Sequence, residues 1–281
     1  PFYIGNTPFA PVANERTFDV DYIDNATGAP GPDGIADPSG THSINLTSLL
    51  TSRDNTRQAS IDLTVLAHTV FGGLSVDGDA IPDLDGGNMH FVGQSLGSMV
   101  GTPFLGVEDL VSNAVISVPG GGIINLLLGS ETFGPRIRAG LAAAGLEPGT
   151  ADFAAYVVAA QTILDSSDPI NWAAVSAGFN TILLHEVIND SVIPNSVPGA
   201  PLSGTEPLIR AMGLTTITGT TQDAVGIRGV VRFVPPASHG SLLSPTDSPS
   251  ATVEMQGEMA SMIVSGGTAV VVNDPTVIVQ E

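Results

Sequence analysis

Ser95 lies at the centre of Gly93-Gln94-Ser95-Leu96-Gly97, a G-x-S-x-G pentad. The apolar run Met89-His90-Phe91-Val92 precedes it, and Leu96 to Phe104 can form a helix after it. Where a strand turns straight into a helix at such a pentad, the serine sits on a sharp, strained bend with its hydroxyl clear of the backbone. The bend is expected to need small residues at both Gly93 and Gly97, where neighbouring chain passes close. A serine presented this way becomes a nucleophile toward an acyl carbon once a histidine removes its proton.

The histidine needs a carboxylate to fix its tautomer. Of the five histidines, His185 and His239 follow Ser95 at a useful distance. His239 stands in Pro235-Pro236-Ala237-Ser238-His239-Gly240, a loop just past an apolar run, where a mobile base belongs. His185 lies inside a strand-like run, so its side chain is expected to be packed or paired. The acid is assigned to Asp190, at the carboxyl end of the run Thr181–Ile188, with Glu186 as the fallback. Ser95, Asp190 and His239 then follow one another in the order serine, acid, histidine. The Leu96 N–H and the N-terminus of its helix supply one donor to an oxyanion.

These residues need a frame that brings strand ends together. Strands are expected at Met89–Val92, Asn113–Val118, Thr181–Ile188 and Gly229–Val234, all β-branched or apolar runs between turn signals. Helices are expected from Ser52 to about Phe71, with Ser52 or Asp54 capping the start and Ile61, Val65, Leu66, Thr69 and Val70 on one face. Further helices are expected at Leu96–Phe104, Glu206–Met212 and Thr252–Val264. The tail 268–279 reads as a hairpin turning at Asn273-Asp274-Pro275. Residues 123–179 are rich in Ala and Leu, poor in charge and too long for an ordinary connection, so they read as a helical cap. Strands alternating with helices give an α/β fold with a mainly parallel sheet covered on both faces.

The chain has 281 residues, enough for one large domain spanning 1–281, and a mean hydropathy of +0.29. Its formal charge of -20 comes from 28 acidic residues against 8 basic ones, all arginine. That balance argues against nucleic acid and against anionic membrane surfaces. No apolar run reaches the length of a transmembrane segment. There is no cysteine, which excludes disulfides and thiol chemistry. Acidity without cysteine is compatible with an extracellular or bacterial cell-surface protein. Asp77, Asp79, Asp83 and Asp85 form a loop rich in hard oxygen ligands, a candidate for structural calcium, and Asp19, Asp21 and Asp24 form a second cluster; neither has EF-hand spacing.

The chain resembles the α/β-hydrolase lipases and esterases, and within them the bacterial extracellular, virulence-factor type lipases. The resemblance is carried by Thr51-Ser-Arg-Asp-Asn-Thr-Arg-Gln58, Phe91-Val-Gly-Gln-Ser-Leu-Gly97, Pro119-Gly-Gly-Gly-Ile123, His185-Glu-Val-Ile-Asn-Asp190 and Ser238-His-Gly240. It implies a carboxylic-ester hydrolase working through an acyl-enzyme on lipid-like or polyester-like substrates, with no cofactor required. The same triad would serve an acyltransferase, and a disrupted one a non-catalytic surface or adhesion domain. Arg53 and Arg57 are expected to make ion pairs on a helix or loop. One departure stands out. Such lipases carry His-Gly in an early loop that gives the second oxyanion donor, and no His-Gly precedes Ser95 here. The expectation is that an N-terminal segment or a second chain supplies the first strands and that donor.

Overall fold

The computed structural model describes residues 21–27, 29, 31–37, 43–46 and 48–280. The chain divides into two compact units, Pro1–Thr56 and Arg57–Glu281. In the first, carboxylates organise turns: Asp21 accepts from the N–H groups of Asp33 and Gly34, and Asp24 from Ala26 and Thr27. Asp19, the remaining member of that acidic cluster, lies outside the described residues.

A five-stranded, all-parallel sheet organises the second unit. Its strands are β1 (Met89–Gln94), β2 (Val111–Ser117), β3 (Thr181–Val187), β4 (Thr215–Thr216) and β6 (Arg228–Phe233), in the order β1-β2-β3-β6-β4. A separate antiparallel pair joins β5 (Thr221–Gln222) to β7 (Ala269–Val270). The helices are α1 (Leu49–Phe71), α2 (Leu96–Leu105), α3 (Ile123–Gly129), α4 (Gly134–Ala143), α5 (Ala151–Leu164), α6 (Pro169–Phe179), α7 (Thr205–Met212) and α8 (Pro249–Val264). Among the described residues no helix is long and apolar enough to cross a membrane.

Side-chain alternation along the strands builds two cores. Ala114, Ile116, Ile182, Leu184 and Val230 face the helices α2, α6 and α7, through Phe104, Leu105, Ala173, Ala177 and Leu208. Val115, Leu183, Val231 and Phe233 face the other way, onto Ala251, Met255 and Met262 of α8. Parallel strands covered on both faces are near-continuously apolar, which is why β2 and β3 were legible. β1 is different. Among the described residues it pairs only with β2, and Val92 in its centre is 44% exposed.

Three expectations need correction. Helix α1 starts at Leu49, so Ser52 is not its cap; the buried Ser52 hydroxyl lies inside the helix and donates to the Asn45 carbonyl. Its buried positions are Thr56, Ser60, Ala67 and Val70, while Ile61, Val65 and Leu66 are exposed. Ser60 donates to the Val100 carbonyl on α2, a close approach that suits a small residue better than a branched one. The tail is no hairpin. Buried Glu254 of α8 accepts from the N–H groups of Asn273 and Asp274, and Asp274 caps a short 3-10 helix at Pro275–Val277. With that turn held against α8, β7 pairs with β5, and Ile278 bridges to Phe233 at the end of β6.

Candidate active site

Because the sheet is parallel, the carboxyl ends of β1, β3 and β6 share one edge. Gln94 pairs with Ser117, Ser117 with His185, and Val187 with Phe233, so the chain leaves these strands at nearly one level. Ser95 follows β1, Asn189-Asp190 follow β3, and the Pro235–Gly240 loop follows β6.

Ser95 has φ 52 and ψ -119, a conformation that side-chain-bearing residues rarely adopt, and α2 begins at the next residue. The bend is fixed from both sides: the Ser95 N–H donates to the Ser117 carbonyl, and the Met99 N–H donates to the Ser95 carbonyl. Gly93 is required, because a Cβ there would stand 2.9 Å from the Ser98 N and Cα. The expectation for Gly97 fails: a Cβ there would meet nothing within 4 Å. The chain passes the elbow only on the Gly93 side, where α2 folds back over β1.

The left-handed bend recurs along this edge. Val118 after β2 has φ 46, and Asn189 after β3 has φ 61. Such conformations cost free energy and cluster where surrounding structure must aim a side chain.

Asp190 and His239 are brought together from 49 residues apart. His239 Nδ1 lies 2.7 Å from Asp190 Oδ2. The other carboxylate oxygen accepts from the N–H groups of Val192 and Ile193, the Asx-turn geometry that suits Asp after a strand. One oxygen thus fixes the carboxylate and the other is directed at the imidazole. The Asp190 side chain is 2% exposed and that of His239 is 19% exposed, so the base reaches solvent while its partner does not.

Ser95 is joined to this pair through its neighbour. Gln94 Nε2 donates to the His239 carbonyl, so the base loop rests on the strand that bears the serine. The Ser95 hydroxyl itself makes no hydrogen bond among the described residues. Leu96 opens α2, whose first N–H groups have no intrahelical acceptor and can meet an anion.

The two alternatives weighed in the sequence occupy other positions. His185 is fully buried, 3.1 Å from Glu258 Oε2 and edge-on to the Phe233 ring, packed and paired as its place in a strand implied. Glu186 points to the opposite face, where Arg232 stands 2.8 Å from it and also 2.9 Å from Glu206. Burial first, and then the neighbouring Glu206, push the Glu186 carboxyl up to about 8, against the opposing pull of Arg232 and Asn195. Glu186 is therefore not the acid that orients His239.

The acidic loop does not converge. Among the described residues no three His, Asp or Glu side chains form a group able to hold a metal ion. Asp77, Asp79, Asp83 and Asp85 instead accept from loop N–H groups, at Asp79, Ile81, Val76 and Gly87 respectively. Arg53 pairs with Asp54 at 2.8 Å, as expected of a surface arginine.

Two residues that sequence reasoning missed shape this edge. Asp168, fully buried, accepts from the N–H groups of Gly122, Ile123 and Ile170 and from Gln161 Nε2, which ties α5 and α6 to the glycine loop after β2. Asn195 braces the Asp190 turn. Asp168 caps α6 ahead of Pro169, which is a local signal, but its bonds to Gly122 and Ile123 are set by the tertiary fold, and no motif marks the bonds of Asn195 to Asn189, Glu186 and Val187.

No family model matches the chain, and no curated protein matches it. Among solved structures, puromycin hydrolase is similar over 75% of this chain and 25% of that chain, at 13% identity and a TM-score of 0.42. A mutant puromycin hydrolase complexed with PGG is similar over 73% and 25%, at 13% identity and a TM-score of 0.43. The chain thus spans about a quarter of the length of these solved structures. Its class is defined by its own topology: a mainly parallel sheet with helices on both sides and a strand–serine–helix elbow at the carboxyl edge, the α/β-hydrolase fold.

Proposed function

We propose that this protein is a serine carboxylic-ester hydrolase that forms an acyl-enzyme at Ser95. The observation that carries the reading is the 2.7 Å contact of His239 Nδ1 with Asp190, on the sheet edge where Ser95 takes its left-handed bend. With Nδ1 held by Asp190, the opposite nitrogen, Nε2, takes the Ser95 proton as the oxygen attacks the ester carbonyl. The Leu96 N–H and the α2 N-terminus stabilise the oxyanion. The protonated imidazole then gives its proton to the departing alcohol. Water attacks the acyl-enzyme with the same base, and the acid leaves.

Lipid-like or polyester-like acyl substrates fit the chain best. Helices α3 to α5 carry little charge, and Ser130 and Thr132 bond to the carbonyls of Ser191 and Val192 beside Asp190. That attachment supports reading α3 to α5, the larger part of the expected cap 123–179, as a cover over the acyl group, whereas α6 packs on the sheet with α2 and α7. Among the described residues β1 is an edge strand, the place where a further strand, from an N-terminal segment or a second chain, would bring the second oxyanion donor. A strongly acidic, cysteine-free chain fits an extracellular or cell-surface setting.

A nitrophenyl ester series tests the proposal. Turnover that rises with acyl length and falls at least about a thousandfold in Ser95→Ala supports it. Equal turnover by wild type and Ser95→Ala would reject it.

A further inference from the structure

We infer that Asn195 is a positioning residue whose carboxamide sets the direction of the Asp190–His239 pair. The inference rests on the reading of Ser95, His239 and Asp190 given above.

The chain leaves β3 at Val187 and reverses through Asn189 in the left-handed region, φ 61. Asparagine is among the few side-chain-bearing residues that tolerate this conformation. The reversal turns the Asn189 N–H away from the sheet, and Asn195 Oδ1 accepts it at 2.8 Å. Asn195 Nδ2 donates at 2.8 Å to the Val187 carbonyl and at 2.8 Å to Glu186 Oε1. One planar amide therefore joins three points: the last carbonyl of β3, a carboxylate rooted in the sheet, and the N–H preceding Asp190. The Glu186 end is itself immobile, because Arg232 grips it from β6.

Beyond Asn189 little freedom remains. Asp190 Oδ1 is held by Val192 and Ile193 N–H groups, so the carboxylate and its turn move as one body. The root of that body is the Asn189 N–H. Releasing it lets the whole turn swing relative to His239, whose own loop is anchored separately by Gln94. A small displacement of an orienting group is enough to cost roughly 10- to 100-fold in rate.

The test uses the full chain as wild type, Asn195→Ala and Asn195→Asp. Aspartate keeps the acceptor for Asn189 and loses both donors. Two readouts follow: the downfield proton resonance of the His239 Nδ1–H, assigned by its loss in His239→Gln, and kcat against KM on a nitrophenyl ester. In Asn195→Ala the resonance should broaden into solvent exchange. The rate should fall about 10-fold or more with KM within about twofold, and Asn195→Asp should be intermediate. If the alanine variant does not fold, the aspartate variant carries the same readings. A lowered melting temperature with the resonance intact and kcat unchanged, in whichever variant folds, would overturn the inference. A wild type that shows the resonance, sensitive to Asn195, but hydrolyses no ester would uphold the positioning role and reject the enzymatic reading instead.

Discussion

His239 meets Asp190 on loops beyond the sheet edge, whereas His185 meets Glu258 inside the fold between β3 and α8. Both are close histidine–carboxylate pairs, at 2.7 Å and 3.1 Å, but only the first is aligned as a hydrogen bond. In the first, the imidazole is 19% exposed and its carboxylate is tied by two backbone N–H groups. In the second, both side chains are fully buried, and burial raises the Glu258 carboxyl above its ordinary value against the opposing pull of His185. A base must exchange protons with a reacting atom, the role that the proposed function gives to the first, solvent-reaching pair. Residue types alone do not distinguish a proton-transfer pair from a packing pair; the position relative to the strand end does.

The sharpest way to break this comparison is to exchange roles by mutation. His239→Gln should reduce ester turnover by about a thousandfold or more, while leaving the melting temperature within about 2 °C. His185→Gln should do the reverse. It leaves Glu258 buried without its partner, a loss of about 3 kcal/mol or more, while turnover per folded molecule stays within about twofold. Calorimetry and active-site-normalised kinetics on both variants check this. A His185 variant that folds normally yet loses turnover would invert the assignment.

A second prediction concerns the third buried carboxylate. The Glu186 carboxyl stands at about 8, raised from 4.5 first by burial and then by Glu206. The folded protein therefore binds this proton more tightly than the unfolded chain does. The resulting contribution to stability is complete below about pH 4.5 and is lost as pH rises through 8. Thermal unfolding should show the melting temperature falling across that window, with a slope flattened in Glu186→Gln. Because Glu186 and Glu206 share Arg232, the apparent transition belongs to the cluster. An unchanged slope in the variant would refute the assignment.

The smallest effects separate the two elbow glycines. Gly93→Ala forces a Cβ against the Ser98 backbone and should cost about 1–3 kcal/mol. Gly97→Ala meets open space inside a helix and should be neutral or stabilise by up to about 1 kcal/mol. Equal costs in chemical denaturation would show that the elbow is packed on both sides after all.

Much of the edge was legible in sequence. The pentad between an apolar run and a helix marked Ser95, and the order serine, acid, histidine picked out Asp190 and His239. Strands β2, β3 and β6 were legible because double-sided burial leaves an unbroken apolar record. What stayed hidden depends on partners chosen by the fold rather than by a motif. Gln94 bonds a carbonyl of the His239 loop, and Asn195 bonds the end of β3, the Glu186 carboxylate and the Asn189 N–H; no spacing rule encodes those. The tail alternates like a hairpin, yet buried Glu254 captures its turn and sends the two arms to different strands. The apolar residues of α1 suggested one buried face, but a close crossing over α2 selected Ser60 and Ala67 instead.

The central claim is that Ser95 is activated by His239 and by no other histidine. Intact-mass and peptide mapping after treatment with a fluorophosphonate measures this directly, with rate constants for wild type, His185→Gln and His239→Gln. The account predicts one adduct, on Ser95, formed at similar rates in wild type and the residue-185 variant and suppressed in the residue-239 variant. An unlabelled wild type, or labelling of Ser95 that survives loss of the residue-239 imidazole, would contradict it.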